Sequence, residues 1–268
     1  MIVFSWDEAE SKLVLVSLPS DTSIEAARGA GTYSLEALWR LGKIDPKSKN
    51  LLSESIEDAL GVPVGWYIGS KNETLSSYLD PSAGIKETFS FSHVARFLGR
   101  SYLTNIPVSS FFRFAWELKF FRLNKIITLD IGKSNSRNDM PIPDGSVAKV
   151  LDSGRVDILL ANIFEDDKLR TEGLRVVVVN TTTTSALGTR VGRLLGHMGL
   201  SVVSVGNESP PVTVCELWGN QQSLTSLSAQ FIEQEYHCIK KTQTETGKAD
   251  LTLKLGRDIE THFVGVHQ

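Results

Sequence analysis

The 268-residue chain is poor in the features that mark specialised classes. It has only two cysteines, Cys215 and Cys238, in a C-x22-C spacing that makes neither a structural zinc site nor a redox CxxC pair. They could be two buried thiols or one disulfide. No run approaches the ~20 apolar residues of a membrane-spanning helix. Met1 to Glu8 shows neither the basic nor the apolar region of a signal peptide, which by itself predicts a cytosolic protein. Charge is balanced, with 28 Lys plus Arg against 31 Asp plus Glu, so no global field draws the chain to nucleic acid or an anionic membrane. His93, His197, His237, His262 and His267 have no metal-ligand spacing. There is no Walker lysine and no G-x-S-x-G elbow, and Gly29-Ala30-Gly31 lacks the third glycine of a dinucleotide loop. His197, near the end of a predicted helix, reads as a partner of that helix's own dipole.

What is present is an ordinary globular composition, 41% hydrophobic and 22% charged, in a chain long enough for two domains. Ile2 to Trp6 and Leu13 to Leu18 predict a β-hairpin whose second, almost wholly apolar strand is central. Tyr33 to Leu41 and Leu51 to Leu60 have helical spacing, ended by Gly42 and Gly61, and Val62 to Ile68 returns as a strand. Phe89 to Leu98 and Val108 to Leu123 are also helical. The second carries Phe111, Phe112, Phe114, Trp116, Phe120 and Phe121, but Arg113, Lys119 and Arg122 are spread around the wheel, as in a core helix. Residues 132 to 149 read as a loop, Val156 to Phe164 as a short helix, and the polar Glu165 to Gly173 as a domain boundary.

Beyond it lie strand Leu174 to Val179, the turn Asn180 to Ser185, helix Ala186 to Met198 and strand Leu200 to Val205, a βαβ unit. Strand Val212 to Trp218, helix Leu224 to Glu235, strand Tyr236 to Lys240 and strand Asp250 to Leu255 follow. The fold class is therefore α/β (α+β): an N-terminal mixed sheet with flanking helices over 1–168, then a small βαββαβ-type sandwich over 169–268 with helices on one sheet face. Thr184 or Ser185 is expected to cap the helix after the threonine turn, since no basic residue accompanies that loop before Arg190. Arg28, Arg40, Arg96 and Arg100 gather in the N-terminal part. Arg96 and Arg100, at i and i+4, share a helix face, either a solvated face or one suited to phosphate.

Several segments resemble the LytR-CpsA-Psr cell-envelope family. Val14-Leu15-Val16-Ser17-Leu18-Pro19-Ser20-Asp21-Thr22 is similar to the family's stretch ending Ser-Ile-Pro-Arg-Asp-Thr. Tyr33 to Gly42 stands where the family has Lys-Leu-Asn-Ala-Ala-Tyr, and Ile56 to Ile68 resembles its helix-to-strand passage. Leu174 to Thr182, Leu187 to Val191, Gly199 to Asn207 and Ala249 to Asp258 resemble the LytR C-terminal domain.

The resemblance implies an extracytoplasmic, membrane-associated protein of bacterial cell-wall biogenesis, with an anchor helix expected before Met1. The family's members bind a polyprenyl-pyrophosphate-linked glycan and transfer the glycan phosphate to peptidoglycan. Arginines hold the pyrophosphate and a divalent cation assists. On that template the pyrophosphate pocket would draw on Asp21, Arg28, Arg40, Arg96 and Arg100.

This sequence departs from the pattern at the charged positions: Ser20 replaces the motif arginine, Ser34 the lysine and Glu36 the asparagine. A hydroxyl in place of a bidentate cation loses charge-assisted bonds to phosphate, and a glutamate repels it. No residue is assigned a catalytic role, and no metal site is assigned. The expectation is a non-catalytic binding or scaffolding module in envelope assembly, with cell-wall glycan, a polyprenyl-linked precursor or other envelope proteins as partners. An active phosphotransferase with displaced arginines and Mg2+ is the alternative; a nucleic-acid regulator is disfavoured by the charge balance. An outside location would permit a Cys215–Cys238 bridge.

Overall fold

A computed structural model describes residues 1–7, 12–44, 50–64, 68–69, 103–104, 125–142, 145–243 and 249–264. The predicted helices over 89–98 and 108–123, with Arg96 and Arg100, lie outside the described residues, as do residues 65–67 of the strand expected over 62–68. The chain divides into two compact units. The first comprises 1–24, 33–53 and 64–155, and the second 25–32, 54–63 and 156–268.

In the first, strands β1 (Ile2–Asp7) and β2 (Lys12–Ser17) form the expected antiparallel hairpin. β2 pairs on its other edge with the parallel strand β7 (Lys125–Asp130), so it is central. Leu13, Val14, Leu15 and Val16 are all buried, which explains a run with no polar alternation. β3 (Thr22–Ala26) starts in this unit, the 3-10 turn that follows it, Ala27–Gly29, belongs to the second, and the chain returns with β4 (Gly31–Ser34). Helix α1 (Leu35–Ile44) therefore starts later than Tyr33 and runs past Gly42, and the Ser34 hydroxyl caps it by accepting from Ala37 N–H. Helix α2 (Leu51–Leu60), which from Glu54 onward belongs to the second unit, has the expected bounds. Two short strands, β5 (Ile68–Gly69) and β6 (Leu103–Thr104), pair antiparallel, and β7 (Lys125–Asp130) follows.

The segment read as a loop contains a second hairpin, β8 (Arg137–Pro141) with β9 (Val147–Leu151), in a sheet ordered β4-β3-β9-β8. Most of its residues are exposed, so no buried face imposed an alternating pattern that could announce it.

The second unit contains helix α3 (Ser153–Leu160), helix α4 (Asp167–Glu172) at the position read as a boundary, strand β10 (Arg175–Asn180), helix α5 (Leu187–His197) and strand β11 (Ser201–Asn207). Strand β12 (Glu216–Gly219), helices α6 (Gln221–Leu224) and α7 (Leu227–Tyr236), strand β13 (Ile239–Thr242), strand β14 (Leu251–Leu255) and helix α8 (Arg257–Val264) complete it. The expected single helix from 224 is thus two, because the Ser226 hydroxyl caps a new start at Ala229 N–H.

The sheet order is β11-β10-β14-β12-β13, parallel except for the β12–β14 pair. Its core is built from alternate residues, Val176 and Val178, Leu251, Leu253 and Leu255, packed with Leu187, Val191 and Leu195 of α5. Cys215 and Cys238, both buried, form a disulfide with Cα atoms 4.5 Å apart.

Two polar devices lock this unit. The Arg193 guanidinium donates to the Asp157 carboxylate at 2.6 Å and to the carbonyls of Asp58 and Ala59, the last turn of α2, at 2.5 and 3.0 Å. His197 stands in the last turn of α5, as expected, and its Nδ1 also lies 2.9 Å from Gly61 O, at the end of α2. Glu172 caps α7 from a distance, accepting from the N–H groups of Leu227 and Ser228 and the Ser228 hydroxyl at 2.9, 2.8 and 2.6 Å. Partial burial pushes the Glu172 carboxyl up, but these three donors outweigh it and hold it below the usual range.

A depressed carboxyl contributes stability above its unfolded value, lost as pH falls through the folded one. Glu172→Gln should therefore cost about 1 kcal/mol at neutral pH and flatten the acid limb of stability below its ordinary value of 4.5. Urea unfolding at pH 7 and pH 3 checks this, the difference between the two proteins shrinking at the lower pH.

Candidate functional site

Ligands of sheets with parallel strands gather beyond the carboxyl ends of those strands. In the first unit these are the ends of β2 and β7, followed by the turns Leu18 to Asp21 and Ile131 to Ser136. Gly132 makes their approach possible: a Cβ there would sit 2.7 Å from Pro19 Cγ and 3.0 Å from Asp130 Oδ1. Asp130 Oδ1 accepts from Gly132 N–H at 2.8 Å, and its other oxygen lies 3.6 Å from Lys133 Nζ.

Asp21, the motif residue retained by this chain, is held by Arg137. Nη1 donates to Asp21 Oδ1 at 3.1 Å and reaches Thr22 Oγ1 at 3.5 Å, while Nη2 donates to Gly132 O at 3.0 Å. The Arg137 side chain is 14% exposed against 61% for Asp21, so it is the arginine that is fixed. Beside it, Asp152 accepts from Arg155 N–H and from the Asn138 amide, and these two bonds hold its carboxyl below the usual range. Arg155 in turn donates to Asn135 O at 2.9 Å.

Of the other sequence-predicted residues, Arg96 and Arg100 lie outside the described residues. Arg40 pairs with Glu36 one helical turn away, and both are exposed, an arrangement worth about 0.5 kcal/mol. Arg28 lies in the 3-10 turn of the second unit. Sequence reasoning missed Arg137, because it sits 116 positions from Asp21 in a hairpin without a burial pattern. Ser34, at the family's lysine position, is spent on capping α1.

Each described cation here is already matched by a carboxylate or carbonyl, so an entering pyrophosphate must displace Asp21 from Arg137. Mg2+ is fitted no better: Asp21 is engaged by Arg137, Asp130 by an N–H and a lysine, and no group of three or more possible ligands occurs among the described residues.

The threonine turn of the second unit borders an open cavity of about 400 Å3 with Asn180, Asn207 and Glu208. Neither Thr184 nor Ser185 caps α5: its N-cap is Ala186, at φ 61° and with no side-chain bond. The hydroxyls go elsewhere, Thr181 to Leu255 O and Thr183 and Thr184 to the Glu260 carboxylate. Glu260, which accepts from two of these hydroxyls, opposes an anion at the turn, while Glu208 is paired with Lys254 at 2.7 Å.

No family model matches the chain, and no curated protein does. Solved structures do. The transcriptional regulator yvhJ from Bacillus subtilis is 17% identical over 59% of this chain and 82% of its own, with a TM-score of 0.42. A LytR-CPS2A-psr family protein, YwtF (TagT) with bound octaprenyl pyrophosphate lipid, is 11% identical over 59% and 80%, with a TM-score of 0.37. The resemblance is to LytR-CpsA-Psr proteins. A transcriptional regulator from Enterococcus faecalis, EF0465, is 11% identical over 75% of this chain and 82% of its own, with a TM-score of 0.43.

Proposed function

We propose that this chain is a cell-envelope assembly protein of LytR-CpsA-Psr type that binds or scaffolds without transferring glycan phosphate. A degenerate catalytic-type domain spans 1–168 and a LytR C-terminal-like domain 169–268. The observation that carries the reading is the state of the retained motif residue: Asp21 follows Ser20 where the family has arginine, and its carboxylate is tied to the enclosed guanidinium of Arg137. Phosphoryl transfer is catalysed by cations held ready for developing charge, and a cation already neutralised by protein must be stripped of its partner first. The Cys215–Cys238 disulfide supports an oxidising, extracytoplasmic location. Cell-wall glycan, or a polyprenyl-linked precursor recognised through its glycan, is the proposed ligand.

Two measurements test this together. Calorimetry with a short-chain polyprenyl pyrophosphate should give no saturable heat with or without Mg2+, while the chain should co-sediment with purified cell-wall sacculi. Magnesium-assisted binding that disappears in Arg137→Ala would restore the phosphotransferase reading, and absence from the sacculus pellet would remove the scaffold.

A further inference from the structure

The two edges of the five-stranded sheet are built differently. β13, at one edge, reads Ile239-Lys240-Lys241-Thr242 and sets two lysines along a strand of four, the usual guard against edge-to-edge pairing. β11, at the other, reads Ser201-Val202-Val203-Ser204-Val205-Gly206-Asn207, seven residues with no charge and no proline. Among the described residues it pairs only with β10. Its two central valines, Val203 and Val205, are 46% and 44% exposed, although one wall of Val205 already packs beneath α5 near Gly188 and Gly192.

The backbone of β11 is turned for a partner. Glu208 N–H donates to Asn180 O of β10 at 3.0 Å, and because successive N–H groups of a strand alternate sides, those of Val205 and Asn207 point away from the sheet. A bulge interrupts the ladder on the β10 side, where Val176 pairs with Val202 and Val177 with Ser204, leaving Val203 as the extra residue. Regular pairing on the outer side therefore runs from Ser204 onward, a short ladder suited to a weak and reversible contact.

We infer that β11 is a self-association edge, pairing antiparallel with β11 of a second copy. Charge chooses the occupant. A like strand brings only Ser, Val, Gly and Asn against this edge and no repulsion, whereas the chain's own opposite edge would bring Lys240 and Lys241. The contact is consequently two-fold and closed, because the lysine-guarded edge stops the sheet from growing further. This inference stands independently of the envelope reading.

The test is sedimentation equilibrium of the full chain at micromolar concentrations, beside a Val203→Lys/Ser204→Lys variant whose two positions are exposed and so spare the core. The expected result is a monomer–dimer equilibrium weakened about tenfold or more in the variant, since the two lysines of each copy would be gathered into one short seam that is otherwise uncharged, with the circular dichroism unchanged. In parallel, Ser204→Cys treated with a short bismaleimide should give a covalent dimer. A strictly monomeric parent chain, a dimer indifferent to the two lysines, or open-ended larger assemblies would each overturn the proposal.

Discussion

Removal of the Cys215–Cys238 bridge, as Cys215→Ala/Cys238→Ala, is expected to cost about 3 kcal/mol and lower the melting temperature by about 6–12 °C. The bridge joins the residue before β12 to the residue before β13, two parallel neighbours linked by the crossover through α6 and α7. It closes a loop of sequence separation 23, and the unfolded chain regains that loop's freedom once the bond is gone. The folded state keeps the same register by other means. Ile239 N–H donates to Cys215 O, and Cys215 N–H is held by both oxygens of Asp258 at 3.0 and 2.9 Å. The variant should therefore keep its fold and lose stability. Guanidinium unfolding of both proteins decides it, and coincident curves would show that the bridge constrains nothing. Protein taken from its native compartment should correspondingly yield no free thiol under denaturing, non-reducing conditions.

Arg193→Ala should cost about 2–3 kcal/mol, because the guanidinium is mostly enclosed and its loss strands three acceptors at once. Two of these are the last carbonyls of α2, which no residue further along the helix can satisfy. The third is Asp157, whose carboxylate also faces His197 Nε2 at 3.4 Å. Gly61 closes the same corner in the left-handed conformation at φ 64°, and a Cβ there would meet Arg193 Nε at 2.9 Å and His197 Nδ1 at 3.0 Å. The arrangement needs a forked donor, so Arg193→Lys should recover less than half of the loss, an ammonium being unable to hold the carboxylate and both carbonyls together. Urea midpoints of the parent chain and the two variants measure this, and a lysine variant as stable as the parent would reduce the contact to simple charge pairing.

The site illustrates why function was harder to read than fold. Ser20, Ser34 and Glu36 could be flagged from sequence because each stands within a recognisable local pattern. Arg137 belongs to no such pattern, and what makes it matter is a contact with Asp21 across 116 positions. Arg40 looked equally available, yet a glutamate one turn earlier on its own helix takes it.

The sequence by itself determined the elements whose burial is periodic or complete: the β1–β2 hairpin, α2 with its closing Gly61, and the valine run of β10 with the βαβ unit that follows. Those residues are dictated by local propensity and by which face must leave water, and both are written in neighbouring positions. Tertiary structure alone decided the exposed β8–β9 hairpin, the split into α6 and α7, the pairing of Asp21 with Arg137 and the clamp of Arg193 on the end of α2. The last two rest on partners supplied from elsewhere in the chain, the hairpin has no buried face to announce it, and the start of α7 adds the distant Glu172 carboxylate to the local Ser226 cap. A hydrogen bond between distant residues leaves no period in the sequence on either side of it.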